Sequence, residues 1–152
     1  MTYEQVLNKL TAYCAKGEHC IQEARQKMER WQIEPSVQQR VIEYLQKERY
    51  IDEARYARFF INDKMRYNRW GKRKIEQALY MKRIPREVYS PLLEEIEDDS
   101  YMESLVPLLR AKRASVKGGS DYEIRGKLIR YAMQRGFSYE QAEKAIAAIE
   151  DA

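Results

Sequence analysis

Nine residues in the middle of the chain hold most of its chemical potential: Arg66-Tyr67-Asn68-Arg69-Trp70-Gly71-Lys72-Arg73-Lys74. Five cations and two aromatic rings in so short a span are the materials of a polyanion contact. Arginine and lysine reach phosphates, and an aromatic face accepts an unstacked base. The competing reading carries equal weight: charge runs are common on solvated helix faces, and Tyr67 or Trp70 can pack beneath a turn. Other chemistry is thin. Cys14, His19 and Cys20 put three soft ligands close together, but zinc takes four, and no second cysteine pair follows. Cys14 also fits an apolar helix face, and His19 reads as a capping or surface residue. One histidine beside two cysteines is a slim basis for nucleophilic catalysis, and the chain has no Gly-rich phosphate loop. The expectation is a binding protein rather than an enzyme, with no metal and no cofactor.

The charge pattern sharpens that expectation. The 152 residues hold 28 Lys+Arg against 24 Asp+Glu, and the net charge of +4 conceals strong segregation. From Lys64 to Arg86 nine bases face one acid, Glu76. From Glu87 to Glu103 seven acids face no base, and from Arg110 to Arg135 eight bases face two acids. A basic face draws a polyanion from a distance, and an adjoining acidic block repels it. The candidate contacts are Arg66, Arg69, Lys72, Arg73 and Lys74, with Lys82, Arg83, Lys127 and Arg130 on the flanking basic stretches. Lys72, Arg73 and Lys74 fall at a predicted helix start, where cations oppose the helix dipole by a few tenths of a kcal/mol each. A sequence that accepts this is consistent with one that sets the charges against an anion.

These residues need a scaffold, and the periodicity says it is helical from end to end. Hydrophobic residues make up 44% and charged ones 34%, the balance of a soluble globular protein. No run approaches the ~18 apolar residues of a membrane span. The opening MTYEQVLNKL has no signal-peptide profile, and two cysteines allow no disulfide framework, so the expected setting is a reducing cytoplasm.

The scaffold repeats. Shifted by 51 residues, Ala24, Met28, Ile33, Val37, Val41, Ile42 and Leu45 fall on Ile75, Leu79, Ile84, Val88, Leu92, Leu93 and Ile96. A further shift of 53 reaches Leu128, Ala132, Phe137, Ala145, Ile146 and Ile149. Val88 alone meets a polar residue, Gln141, whose neighbour Ala142 is expected to fill the site. Each copy reads as helix, turn, helix behind a leading amphipathic helix, the leaders being Tyr3–Ala15, Asp52–Arg66 and Ser100–Ala114. Leu7, Leu10 and Cys14 share a face of the first leader. Ala57, Phe60, Ile61 and Met65 share a face of the second. The predicted fold is all-α: three tandem three-helix repeats, 1–49, 50–98 and 99–152, in an elongated, curved array. An irregular bundle with accidental self-similarity is the alternative.

Local signals place the turns. Pro35 and Pro85 fall where third helices begin. Ser138 and Gln141 form a capping box. Gly136 suits a left-handed helix end, and Gln32 and Arg83 hold the matching positions at a strain of about 1 kcal/mol or more. Pro91 and Pro107 should kink or restart their helices, with a late start at Ser90–Pro91 as the alternative for the first. The Lys117–Ser120 stretch is the expected mobile loop.

Within the second repeat, Tyr50-Ile51-Asp52-Glu53-Ala54-Arg55-Tyr56-Ala57-Arg58-Phe59-Phe60 is followed by the basic turn, Gly71, Lys74-Ile75, Leu79, Lys82 and Ile84. This set resembles the central signature of the RecX family, bacterial regulators of the RecA recombinase. The resemblance covers nearly the whole chain and is most specific over 50–84. It implies an all-helical, curved protein that binds RecA, free or in its filament on DNA, and inhibits strand exchange and ATP hydrolysis; several family members also bind DNA. Carried across, Asp52, Arg55, Ala57, Phe60, Gly71, Ile75 and Leu79 are signature positions with mainly architectural roles. Asp52 would cap its helix, and Phe60 and Ile75 would fill the core. Arg83 departs from the pattern, which often has Gly before Ile84, and the first repeat has Trp31-Gln32-Ile33 in the equivalent turn.

The leading functional expectation is a monomeric recombinase regulator that lies along the RecA–DNA filament. Its cations would sit near phosphates, in weak, phosphate-driven DNA contact, and its acidic block against RecA, obstructing subunit interchange or pairing. A stand-alone helix-turn-helix DNA-binding protein is the alternative. A protein-only helical scaffold and, more distantly, a hydrolase or transferase follow.

Overall fold

The structure is a computed structural model and describes residues 1–150. Among these residues every regular element is helical. The order is α1 (Tyr3–Ala15), α2 (Ile21–Arg30), α3 (Pro35–Lys47), α4 (Glu53–Asp63), a π-helical turn (Lys64–Asn68), α5 (Lys72–Met81), α6 (Arg86–Glu94), α7 (Asp98–Ser115), α8 (Asp121–Gln134) and α9 (Tyr139–Glu150). Three successive helix triplets therefore follow one another along the chain, as the repeat pattern predicts. None of the helices is long and apolar enough to cross a membrane.

The chain packs as two compact units: Met1–Phe59 with Leu79–Tyr89, and Phe60–Ala78 with the chain from Ser90 onward. In the first, Val6, Leu10, Ala24, Met28, Val41, Ile42 and Leu45 form a core from α1, α2 and α3, joined by Ile51 from the segment before α4. In the second, Tyr101, Met102, Leu105 and Leu109 of α7 close against Leu128 and Ala132 of α8, Phe137, and Ala142, Ala145 and Ile146 of α9. Burying such side chains is worth about 1.5–3 kcal/mol each for the larger ones, which is what holds short helices of marginal intrinsic stability.

The three second helices end alike. Gln32, Arg83 and Gly136 have φ of 58°, 60° and 99°. The N–H groups of Ile33, Ile84 and Phe137 donate to the carbonyls of Met28, Leu79 and Ala132 at 3.0, 3.1 and 3.1 Å. Those of Gln32, Arg83 and Gly136 reach Glu29, Tyr80 and Met133. This is the two-bond Schellman closure three times over, with the expected left-handed strain at Gln32 and Arg83.

Several expectations need correcting. On α1 the fully buried pair is Val6 and Leu10, four residues apart; Leu7 and Cys14 flank it, half-buried. On α4 Ala57 and Ile61 are buried while Phe60 is half-buried, as is Met65 in the π turn that follows. In the third helices Val37, Val88 and Gln141 are all half-buried, and the next residue, Gln38, Tyr89 or Ala142, is the buried one. The buried Gln38 satisfies its amide by donating Nε2–H to the Ile33 carbonyl at 2.8 Å. Pro35 opens α3, but Pro85 precedes α6, its carbonyl accepting from Val88 and Tyr89. Pro91 and Pro107 lie inside α6 and α7 without restarting them. The leader Asp52–Arg66 is helical only to Asp63 and then passes into the π turn, whereas α7 starts two residues before Ser100 because Asp98 and Asp99 suit a first turn.

Candidate nucleic-acid interface

The basic turn begins where α4 gives way to the π turn. Asp52 sets up α4: its Oδ1 accepts from the Arg55 N–H at 3.0 Å, and its carbonyl from the Tyr56 N–H at 2.9 Å. Arg55 ties the loop before α4 to the α1–α2 turn, donating Nε–H to Glu18 Oε1 at 2.6 Å and Nη2–H to the Arg49 and Tyr50 carbonyls at 3.0 and 3.4 Å. Ala57, Ile75 and Leu79 are fully buried.

The π turn is strapped in place from the rest of its own unit. The Trp70 N–H donates to the Lys64 carbonyl at 3.1 Å, and Arg69 caps the turn with φ 53° and ψ 50°. Ser104 of α7 donates its hydroxyl to the Met65 carbonyl at 3.1 Å, and Arg69 Nη1 donates to the Ser104 carbonyl at 3.3 Å. Arg135, just past α8, donates Nη2–H to the Asn68 carbonyl. Strained backbone of this kind persists when its surroundings over-determine it.

Gly71 then permits a close backbone approach. Its N–H donates to the Arg135 carbonyl at 2.8 Å, and the Arg73 N–H donates to the Gly136 carbonyl at 3.1 Å. A Cβ added at Gly71 would come within 2.5 Å of Gly136 O and Phe137 N. Two donors at the start of α5 are thus capped by carbonyls of the α8–α9 turn. The partial negative charge of those oxygens eases the cations Lys72, Arg73 and Lys74 at the positive end of the helix.

The two aromatic rings part company here. Trp70 is half-buried, edge-on to Phe60 with centroids 6.5 Å apart, and the Lys64 and Lys74 ammonium groups lie 5.2 and 4.8 Å from its centroid. Tyr67 stands 74% exposed, with the Arg66 guanidinium 5.9 Å from its ring. Arg66, Arg69, Lys72 and Arg73 are exposed and Lys74 half-buried. Among the described residues none of these five lies within ion-pair distance of a carboxylate.

Lys127 and Arg130 lie three apart on α8, both exposed, in the same unit. They line two shallow depressions, one of about 520 Å³ with Tyr122, Ile129 and Tyr139, and one of about 430 Å³ with Lys112, Lys117 and Tyr131. Arg125 beside them is paired with Glu143 at 2.8 Å. Lys82 and Arg83 belong to the other unit. Lys82 Nζ donates to Glu23 Oε2 at 3.1 Å, and Glu23 Oε1 also accepts from the Cys20 N–H and meets His19 Nδ1. Burial works to raise the Glu23 carboxyl, but the hydrogen bonds from Cys20, Lys82 and His19 outweigh it and hold it below its ordinary value. Arg83 lines a depression of about 330 Å³ with Gln22, Arg25, Glu29 and Glu53.

His19 stacks on Tyr13 at 3.6 Å and 17°. Burial pushes the Cys20 thiol up to about 11 and raises Cys14 as well, which disfavours the thiolate form of both. Among the described residues no three His, Cys, Asp or Glu side chains are placed to hold a metal ion. Ser104 and Arg135, which brace the turn, carry no local sequence signal, since they lie 39 and 67 residues from the carbonyls they bind.

Residues 52–90 match the model of RecX, second three-helix domain, and residues 98–146 that of RecX, third three-helix domain; together the two take in more than half of the chain. The chain belongs to the RecX family. The resemblance seen over 50–84 is borne out. Among the relatives, Regulatory protein RecX of Finegoldia magna is 30% identical over 96 residues, 62% of this chain and 47% of that protein. Regulatory protein RecX of Clostridium acetobutylicum is 28% identical over 131 residues, 84% and 60% of the two chains. The chain spans about half the length of the curated relatives it matches. The crystal structure of RecX from Lactobacillus salivarius superposes with a TM-score of 0.86 at 20% identity, over 99% of this chain and 97% of that one. A second crystal structure of regulatory protein RecX gives 0.87 at 15% identity, over 99% and 73%. These two establish the RecX fold.

Proposed function

We propose that this chain is a regulator of the RecA recombinase that binds RecA or the RecA–DNA filament and inhibits its activity. It acts as a cytoplasmic monomer without a cofactor and without catalysis of its own, through three trihelical units, 1–49, 50–98 and 99–152. The basic turn meets DNA phosphates within that assembly, and Lys127 and Arg130 extend the contact. The observation that carries the DNA contact is the combination of five cations that meet no carboxylate among the described residues with a backbone fixed by Arg135, Gly136 and Ser104. A backbone fixed in advance spares the ordering of the turn on meeting an anion, so more of the attraction survives as affinity. The RecA partnership itself is supported by family membership.

The experiment follows ATP turnover by RecA on single-stranded DNA as the protein is titrated in. Inhibition well below one protein per RecA indicates action at filament ends, and near-stoichiometric inhibition indicates coating of the filament. No inhibition removes the RecA reading. Tight binding to one duplex sequence without RecA would put a helix-turn-helix DNA-binding protein in its place.

A further inference from the structure

We propose that Tyr67 is a base-stacking residue, so that the basic turn takes an unpaired strand in preference to a duplex. This rests on the reading of the turn as a nucleic-acid contact and adds the class of nucleic acid it selects. Three observations carry it.

The first is the division of labour between the rings. Trp70 is held by Phe60, Lys64 and Lys74, whereas Tyr67 is 74% exposed with Arg66 alongside. A large ring left in water forgoes the burial that aromatic side chains ordinarily bring to a fold. The second is the backbone. A π turn is rare and frequent at functional sites, and this one is held by bonds to Met65 O and Asn68 O on either side of Tyr67. The braces fix the carbonyls and leave the Arg66 and Tyr67 side chains pointing away, into solvent. The third is the surrounding charge: Arg66, Arg69, Lys72 and Arg73 are exposed and unpaired with carboxylates among the described residues, and a phosphate drawn to Arg66, 5.9 Å from the ring, brings its nucleotide to Tyr67. An unpaired strand can turn a base onto that ring, while the bases of a duplex are already stacked and show only their edges.

The test compares fluorescence-anisotropy titrations of three labelled probes of equal charge: a thymine 15-mer, the same backbone without bases, and a closed hairpin duplex. Tyr67→Ala should weaken the thymine probe roughly 5- to 150-fold, the loss of one stacked base. It should leave the abasic and duplex probes and the salt dependence unchanged, and Tyr67→Phe should behave as the parent. Equal weakening on all three probes, or none on any, overturns the stacking role. A Lys72→Glu/Arg73→Glu variant run in parallel separates the two readings. If it binds all probes as the parent does, the turn is not the contact at all; if it weakens all three while Tyr67→Ala changes nothing, only the stacking role falls.

Discussion

Two glycines, one buried just before α5 and one exposed within α8, should respond oppositely to one added methyl group. Gly71 faces the Gly136 backbone, so Gly71→Ala must push apart the carbonyls that cap α5. The expected cost is about 1–3 kcal/mol, read as a lower urea midpoint. Gly126 lies within α8 with nothing near its would-be Cβ, and Gly126→Ala should stabilise by about 0.5–1 kcal/mol. Gln32 gives the complementary case: it is exposed at φ 58°, and Gln32→Gly relieves strain of about 1 kcal/mol, in part offset by the greater freedom of glycine when unfolded. A small rise in midpoint is the expected outcome. If Gly71→Ala is as stable as the parent, the close approach described for the α8–α9 turn is wrong.

Between elements, Glu23 joins α2 to the turn after α5 through Lys82, and the join has a pH signature. Its folded carboxyl lies below the ordinary Glu value of 4.5, so it contributes stability above that value and loses it as the pH falls through the lower, folded one. Lys82→Met should cost about 1 kcal/mol at pH 7, since both partners are partly exposed and screened. The gap between variant and parent should then close as urea midpoints are taken below pH 4.5. Glu53, raised by burial, acts in the opposite direction in both proteins and cancels in the comparison. A gap that persists unchanged into acid would mean Lys82 acts by packing alone. The Glu23–Lys82 bond spans 59 residues and leaves no trace in the sequence, whereas α1, the Ser138–Gln141 capping box and the three left-handed helix ends are legible there. Caps and periodicity are written within four residues of themselves, and the repeat at 51 and 53 residues makes each helix a check on the others. The π turn, the half-burial of Phe60 and the bracing by Ser104 and Arg135 depend on partners that local pattern cannot supply. Charge alone picks out the nine candidate cations, so the sequence cannot tell Lys82, which meets Glu23, from Arg73, which meets no carboxylate among the described residues.

At the scale of the whole molecule the net charge of +4 says little, because seven acids without a base follow directly on the basic stretch. What matters is whether particular cations displace counterions from a nucleic-acid backbone. Arg66, Lys72 and Arg73 are the right three to reverse. They are exposed and, among the described residues, their side chains bear no part of the bonding that holds the turn, whereas Arg69 holds the Ser104 carbonyl and Lys74 braces Trp70. Changing all three to Glu should leave the urea midpoint within about 0.5 kcal/mol of the parent. Affinity for single-stranded DNA should fall, and the slope of log K against log salt should flatten by about 0.7 for each phosphate no longer neutralised, roughly two units for three. In the RecA assay the same variant should need a much higher concentration to slow ATP turnover. Loss of DNA affinity with full inhibition retained would show that RecA is regulated through protein contact and that the turn serves some other encounter with DNA. An unchanged slope would remove the basic turn from the interface altogether, because three cations cannot leave the phosphates without altering the salt dependence.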